Sequence, residues 1–165
     1  MALVNQTILT KTAKETEKLG EKIAKDLLKK GPNETATCVC LEGNLGAGKT
    51  TLAKGFAQGL GIKDIITSPT FVILKKFKIP NYKLSTIYYQ LFYHIDAYRL
   101  QNSEDAMVLG LKEVLSDPRN IVLIEWPDRL KNILPSRGLK VKARYQASKG
   151  KNTRAIDIIN NLCYN

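Results

Sequence analysis

The sequence has no long apolar run: the most notable aliphatic stretch, Ile121 to Ile124, is far short of the roughly 20 residues a membrane helix requires. Nor does the N-terminus, Met1 to Thr10 and then Lys11, carry a basic leader, an apolar core and a small-residue cleavage site, so a soluble chain with a cytosolic address is expected. Cysteine is scarce, with three residues and no metal spacing. Cys38 and Cys40 lie two apart on one strand face and cannot comfortably bridge each other, and Cys163 stands near the C-terminus; reduced, partly buried thiols are expected. There is one histidine, His94, with no Ser or Cys partner to make a nucleophilic pair, and one tryptophan, Trp126. Acidic residues are outnumbered 26 to 15 by Lys and Arg.

At 165 residues the chain is one domain's worth, and its 44% hydrophobic and 25% charged residues exclude disordered, collagen-like and disulfide-scaffold classes. The net charge of +11 is uneven: residues 137–156 hold seven basic residues and no acid, and residues 75–83 hold four. Lys140, Lys142 and Arg144 alternate with Val141 and Ala143, which puts three like charges on one strand face. Such a face calls for an acidic partner or RNA, or else reflects a Lys-rich composition spread over solvated positions. An RNA-binding module is the weaker reading, because the interleaved aromatic and glycine signature of a single-strand binder is missing.

Along the chain, Thr12 and Glu15 have capping-box spacing, and Leu19, Ile23 and Leu27 recur every four residues. The pattern predicts an amphipathic helix ending at Gly31 and Pro32. A buried strand is predicted over 36–41, a helix from about Lys49 to Leu60, and strands over 71–77 and 88–95 flanking a Lys-rich hairpin or loop at 78–87. Short helices are expected at 103–109 and 111–115, with strands at 121–125, 139–145 and 154–159. The fold class implied is α/β: a three-layer, P-loop NTPase-like architecture in which helices flank a mixed parallel and antiparallel sheet.

The chemistry starts at Gly43-Asn44-Leu45-Gly46-Ala47-Gly48-Lys49-Thr50, which matches G-x-x-x-x-G-K-T in full and sits between a strand and a helix. Glycines let the backbone N–H groups face a phosphate, and the new helix adds its positive end. Lys49 is expected to reach β and γ oxygens of ATP or ADP, and the Thr50 hydroxyl to ligate Mg²⁺, with Thr51 continuing the segment. A carboxylate near the metal is also needed, and two acids end strands: Asp96 and Glu125. Either can hold Mg²⁺ through a water or orient the attacking water, and the sequence does not choose between them; strand-end acids also serve as caps. Lys49, Asp96 and Glu125 form the expected catalytic set, with Thr50 and Glu125 the working metal set. Thr67-Ser68-Pro69-Thr70 stands where a γ-phosphate sensor belongs, with a Ser-Pro turn as the rival reading. His94 shares a strand face with Asp96 and is expected to support the site or the core, while Trp126 either packs or joins the site beside Glu125.

The strings LEGNLGAGKTT, TSPTF, YHIDAYRL and IEWPDRL, in that order, resemble the bacterial TsaE family, also called YjeE, whose members are small ATPases needed for threonylcarbamoyladenosine formation in tRNA. The resemblance runs from Thr16, Leu19 and Gly20 through the late GKNTR segment. It implies ATP and Mg²⁺ binding and a slow ATPase activity that depends on the partner proteins TsaD and TsaB, with tRNA contact made through their complex. By position it puts Lys49 and Thr50 on phosphate and metal, Thr70 in a switch segment, and Asp96, Glu125 and Trp126 on residues linked to hydrolysis. Asn44 stands where the family commonly has Asp, and the segment between Phe77 and Tyr93 is longer and more basic than usual. From the loop alone, a small-molecule kinase is the alternative; it would want an Arg-bearing lid, and the six arginines form no such cluster.

Overall fold

A computed structural model describes residues 5–64, 73–80, 89–100, 103–150 and 152–160. The Thr67–Thr70 segment, most of the expected 78–87 loop and Cys163 lie outside the described residues.

Thr12 starts α1 (Ala13–Lys30) as expected: its hydroxyl accepts the Glu15 N–H at 3.1 Å, and the Glu15 carboxylate accepts the Lys11 N–H at 2.7 Å. Gly31, at φ 78°, stops it. β2 (Thr37–Glu42) is buried along almost its whole length because it is the sheet's middle strand, with parallel neighbours on both sides. Chain reversal after β2 leads into α2 (Lys49–Gly59). The remaining strands are β3 (Leu74–Lys78), β4 (Leu91–Asp96), β5 (Asn120–Glu125), β6 (Leu139–Tyr145) and β7 (Arg154–Asn160), with short helices α3 (Ser103–Val108) and α4 (Leu111–Ser116) before β5.

These strands join one seven-stranded sheet, in which β6, β2, β5 and β4 form a parallel centre. β7 pairs antiparallel with β6 at one side, and β3 antiparallel with β4 at the other. The outermost strand, Gln6–Thr10, pairs antiparallel with β7 and was not foreseen; it is labelled β1. As an edge strand with only Thr10 buried, it has too little alternation to announce itself, and its partner ladder makes it a strand. A buried contact of 2.8 Å between the Thr10 and Thr16 hydroxyls ties it to α1.

Two apolar clusters give the three layers. On one face Leu19, Ile23, Leu52, Phe56 and Leu60 of α1 and α2 cover Val39, Leu41, Ile121 and Leu123. On the other, Leu111, Leu115 and Leu130 cover Cys38, Cys40, Val122 and Ile124. No helix among the described residues is long and apolar enough to cross a membrane.

Two expectations need correction. Cys40 is disulfide-bonded, whereas Cys38 is free and buried, its thiol pushed up to about 12 by burial. Spacing along one strand excludes a bond between its own two cysteines but not one to a residue that folding brings near. The basic face of β6 is also less bare than alternation suggested: Lys140 pairs with Glu42 at 3.1 Å and Arg144 with Asp157 at 2.6 Å, both acids coming from neighbouring strands. Cross-strand pairing thus neutralises two of the three charges, those of Lys140 and Arg144.

α1 and α2 touch backbone to backbone. A Cβ on Gly55 would overlap the Glu17 carbonyl, one on Gly20 the Leu52 carbonyl, and one on Gly59 would lie 2.7 Å from Ala24 Cβ. Gly55→Ala is therefore expected to lower unfolding free energy by about 2 kcal/mol or more, beyond the gain Ala brings to a helix, as measured by urea denaturation. Unchanged stability would mean that the helices separate without cost.

Candidate functional site

The turn from β2 into α2 is built on three glycines with positive φ: Gly43 at 140°, Gly46 at 77° and Gly48 at 96°. At Gly43 a side chain is excluded twice over, because a Cβ would also overlap the Ala143 carbonyl of β6. Gly48 is the N-cap of α2 and no side chain caps the helix, so its first N–H groups are left for a ligand. Asn44 and Gly46 are exposed, Leu45 is 95% exposed at the loop's tip, and Ala47 is buried beneath it. Thr50 and Thr51 follow in the first turn, both half-buried.

Lys49 is buried, and its amine donates to the Gly43 carbonyl at 2.6 Å and the Asn44 carbonyl at 3.2 Å. It also lies 4.6 Å from the centre of the Trp126 ring. Burial lowers its pKa below the ordinary lysine value, against the pull of the nearby Glu125 and Asp96 carboxylates.

Those carboxylates come together because β4 and β5 run parallel in register, with Asp96 beside Glu125. Alternation puts His94, Asp96 and Glu125 on the face covered by α2, the face that also carries Phe92 and Leu123. Both acids are buried, at 5% and 3% exposure, so neither is a solvated strand end. Asp96 also caps the following turn, accepting the Tyr98 N–H at 3.1 Å. His94 Nε2 lies 3.0 Å from Glu125 Oε1. An ionised Glu125 requires Nε2 to donate, which leaves Nδ1 as an acceptor, and that buried nitrogen has no hydrogen-bond partner among the described residues. The histidine is thus a positioning residue for Glu125.

Trp126 follows at φ 59°, a left-handed conformation that costs a non-glycine residue about 1 kcal/mol or more. Its ring meets Tyr98 at 5.3 Å and Lys49 at 4.6 Å. The turn thus aims the indole at the lysine. Of the sequence-predicted residues, Lys49, Asp96, Glu125 and Trp126 are brought together, Asn44 to Gly48, Thr50 and Thr51 form the adjoining loop and helix start, and Thr70 lies outside the described residues. Two neighbours were missed: Arg154, whose Nε would lie 3.7 Å from a Cβ on Gly48, and Tyr145 beneath it. The GKNTR string was the only signal, and it carried no chemistry until folding brought β7 to the loop.

No three His, Cys, Asp or Glu side chains are grouped to hold a metal among the described residues. A cation bound here would have to draw on a hydroxyl, waters and phosphate oxygens beside one or two carboxylates, which is the donor set Mg²⁺ favours. Thr50, Asp96 and Glu125 fit that requirement.

Residues 10–156 match the family model for threonylcarbamoyl adenosine biosynthesis protein TsaE. The tRNA threonylcarbamoyladenosine biosynthesis protein TsaE of Haemophilus influenzae is 35% identical over 128 residues, covering 78% of this chain and 75% of that one. The protein of the same name from Treponema pallidum is 34% identical over 139 residues, covering 84% and 91%. Among solved structures, the crystal structure of Bacillus subtilis YdiB superposes with a TM-score of 0.66 at 25% identity, covering 98% of this chain and 88% of that one. The kinase alternative has no support in the family model or these relatives.

The lowered pKa of Lys49 has a signed consequence for stability. Between that value and the ordinary lysine pKa near 10.5, the unfolded chain binds more protons than the folded one, so this group's contribution to stability rises with pH. Below the window the charged amine carries its full burial penalty. Comparing wild type with Lys49→Met by urea denaturation across alkaline pH should show the variant's advantage largest at neutral pH and shrinking as pH climbs. A constant difference would rule this out.

Proposed function

The chain belongs to the TsaE family, and on that premise we propose that it serves tRNA threonylcarbamoyladenosine formation as a Mg²⁺-dependent ATPase of weak intrinsic activity, stimulated by the partner proteins TsaD and TsaB. Contact with tRNA would be made through that complex, and such work on tRNA would be cytoplasmic. The observation carrying the ATPase reading is the complete phosphate-loop pattern at an uncapped helix start, with the Lys49 amine between loop carbonyls and two buried carboxylates.

Each residue then has a defined task. The glycine turn presents backbone N–H groups to the phosphates, and Lys49 would exchange the Gly43 and Asn44 carbonyls for phosphate oxygens. Thr50 offers its hydroxyl to the metal, and Mg²⁺, when bound, neutralises charge on the phosphate oxygens. Asp96 and Glu125 divide metal and water positioning, with His94 fixing the Glu125 oxygen that it contacts. Trp126 backs the lysine with its ring. Hydrolysis is the reaction that this set of residues would serve.

Lys49→Ala should weaken ATP binding itself, whereas Thr50→Ala should mainly remove its dependence on Mg²⁺. Calorimetric titration with and without Mg²⁺ separates the two, and wild-type affinity in both variants would overturn the assignment.

Asp96→Ala and Glu125→Ala should each cut hydrolysis in the presence of TsaD and TsaB by about a hundredfold while leaving ADP affinity within about tenfold. Phosphate release that survives both substitutions, or phosphate appearing on a small acceptor, would count against an ATPase built on these residues.

A further inference from the structure

Arg154 opens β7 directly across from Tyr145, the last residue of β6. Its guanidinium carbon lies 5.6 Å from the centre of the Tyr145 ring, and its Nη1 donates to the Asn152 carbonyl at 2.5 Å. Among the described residues no carboxylate pairs with it, unlike Arg144 one residue along β6, which is held by Asp157. The Arg154 side chain runs past the start of α2: a Cβ on Gly48 would sit 3.7 Å from its Nε and 3.8 Å from its Cδ. This half-buried arginine therefore flanks the phosphate loop with donors uncommitted to any acid among the described residues.

Strand order says which end of a ligand it faces. β5 and β4 lie on one side of β2, and they bring Glu125 and Asp96; Trp126 follows β5, and the Lys49 amine sits against it. Chemistry at the terminal phosphate belongs on that side. β6 and β7 lie on the other side of β2, so a nucleotide seated on the loop with its last phosphate toward the carboxylates must extend its nucleoside toward Tyr145 and Arg154. We propose that Arg154, braced on the Tyr145 ring, grips the nucleotide at its nucleoside end by contacting the phosphate that carries the ribose.

A guanidinium suits that task, because its planar fork matches phosphate oxygens and it is always charged. Stacking on Tyr145 holds the fork in place beforehand, so less side-chain freedom is lost on binding. The inference rests on the nucleotide-binding reading of the loop and adds to it a binding residue outside the loop, Lys49 and the two acids.

The test is calorimetric titration of the 165-residue chain with ADP and with ATP, using wild type, R154Q, R154K and, as a control on the loop, K49A. R154Q should weaken ADP and ATP by the same factor, about tenfold to a hundredfold, because both nucleotides carry the ribose-linked phosphate. R154K should recover part of the loss, since it keeps the charge but not the fork. In hydrolysis with TsaD and TsaB the R154Q loss should appear chiefly as a KM for ATP raised by that same factor rather than as a lowered kcat, which separates a binding role from a role in the reaction. Thermal melting of each free variant reports folding, and should R154Q melt early, R154K decides the matter by the same equal penalty on both nucleotides. ADP affinity within about twofold of wild type in a folded variant, or a penalty confined to ATP, would overturn the proposal. If K49A binds nucleotide as wild type does, it is the loop assignment that fails, and this inference falls with it.

Discussion

The position of every group in the site traces back to a contact that only glycine permits. α1 and α2 approach until the Gly55 Cα faces the Glu17 carbonyl and the Gly20 Cα faces that of Leu52, leaving no room for a side chain at either place. That approach fixes how deeply α2 lies against the sheet and therefore where its first residue, Lys49, can put its amine. At the loop's other end Gly43 does the same against the Ala143 carbonyl of β6. The loop is thus clamped between a helix pair and a sheet, both defined by backbone contacts, which are harder to deform than side-chain packing.

Much of this was legible in the sequence because it is local. The loop pattern, the Thr12 cap and the Gly31 stop are written within a few residues each, and the structure places them where the spacing put them. Strand centres were legible for the same reason, while their ends moved: the strand expected over 88–95 runs Leu91–Asp96, and among the described residues the one expected over 71–77 runs Leu74–Lys78 after Ile73 turns at φ 64°. What could not be read depends on which strands become neighbours. The pairing of Glu42 with Lys140 and of Asp157 with Arg144 joins residues from separate strands, as does the approach of Arg154 to Gly48. The His94 contact with Glu125 was half legible: alternation put the histidine on the Asp96 face, but only the parallel register of β4 and β5 delivers it to the neighbouring acid.

The site also holds its own charge in reserve. Lys49 donates to the two carbonyls at the start of the loop and rests against Trp126, an arrangement that satisfies a buried amine when no anion is present. The lowered pKa says that this satisfaction is incomplete: burial outweighs the help from Glu125 and Asp96. An amine in that condition gains more from an incoming anion than a solvated one would, because its desolvation has already been met in folding. The same reasoning extends to the acids. Asp96 and Glu125 are buried side by side, so under the proposed function a cation held beside them would offset the charge of an anionic ligand. Under the proposed function, stability lost in assembling the site would be recovered when anion and cation bind together, which would favour the pair over either partner alone.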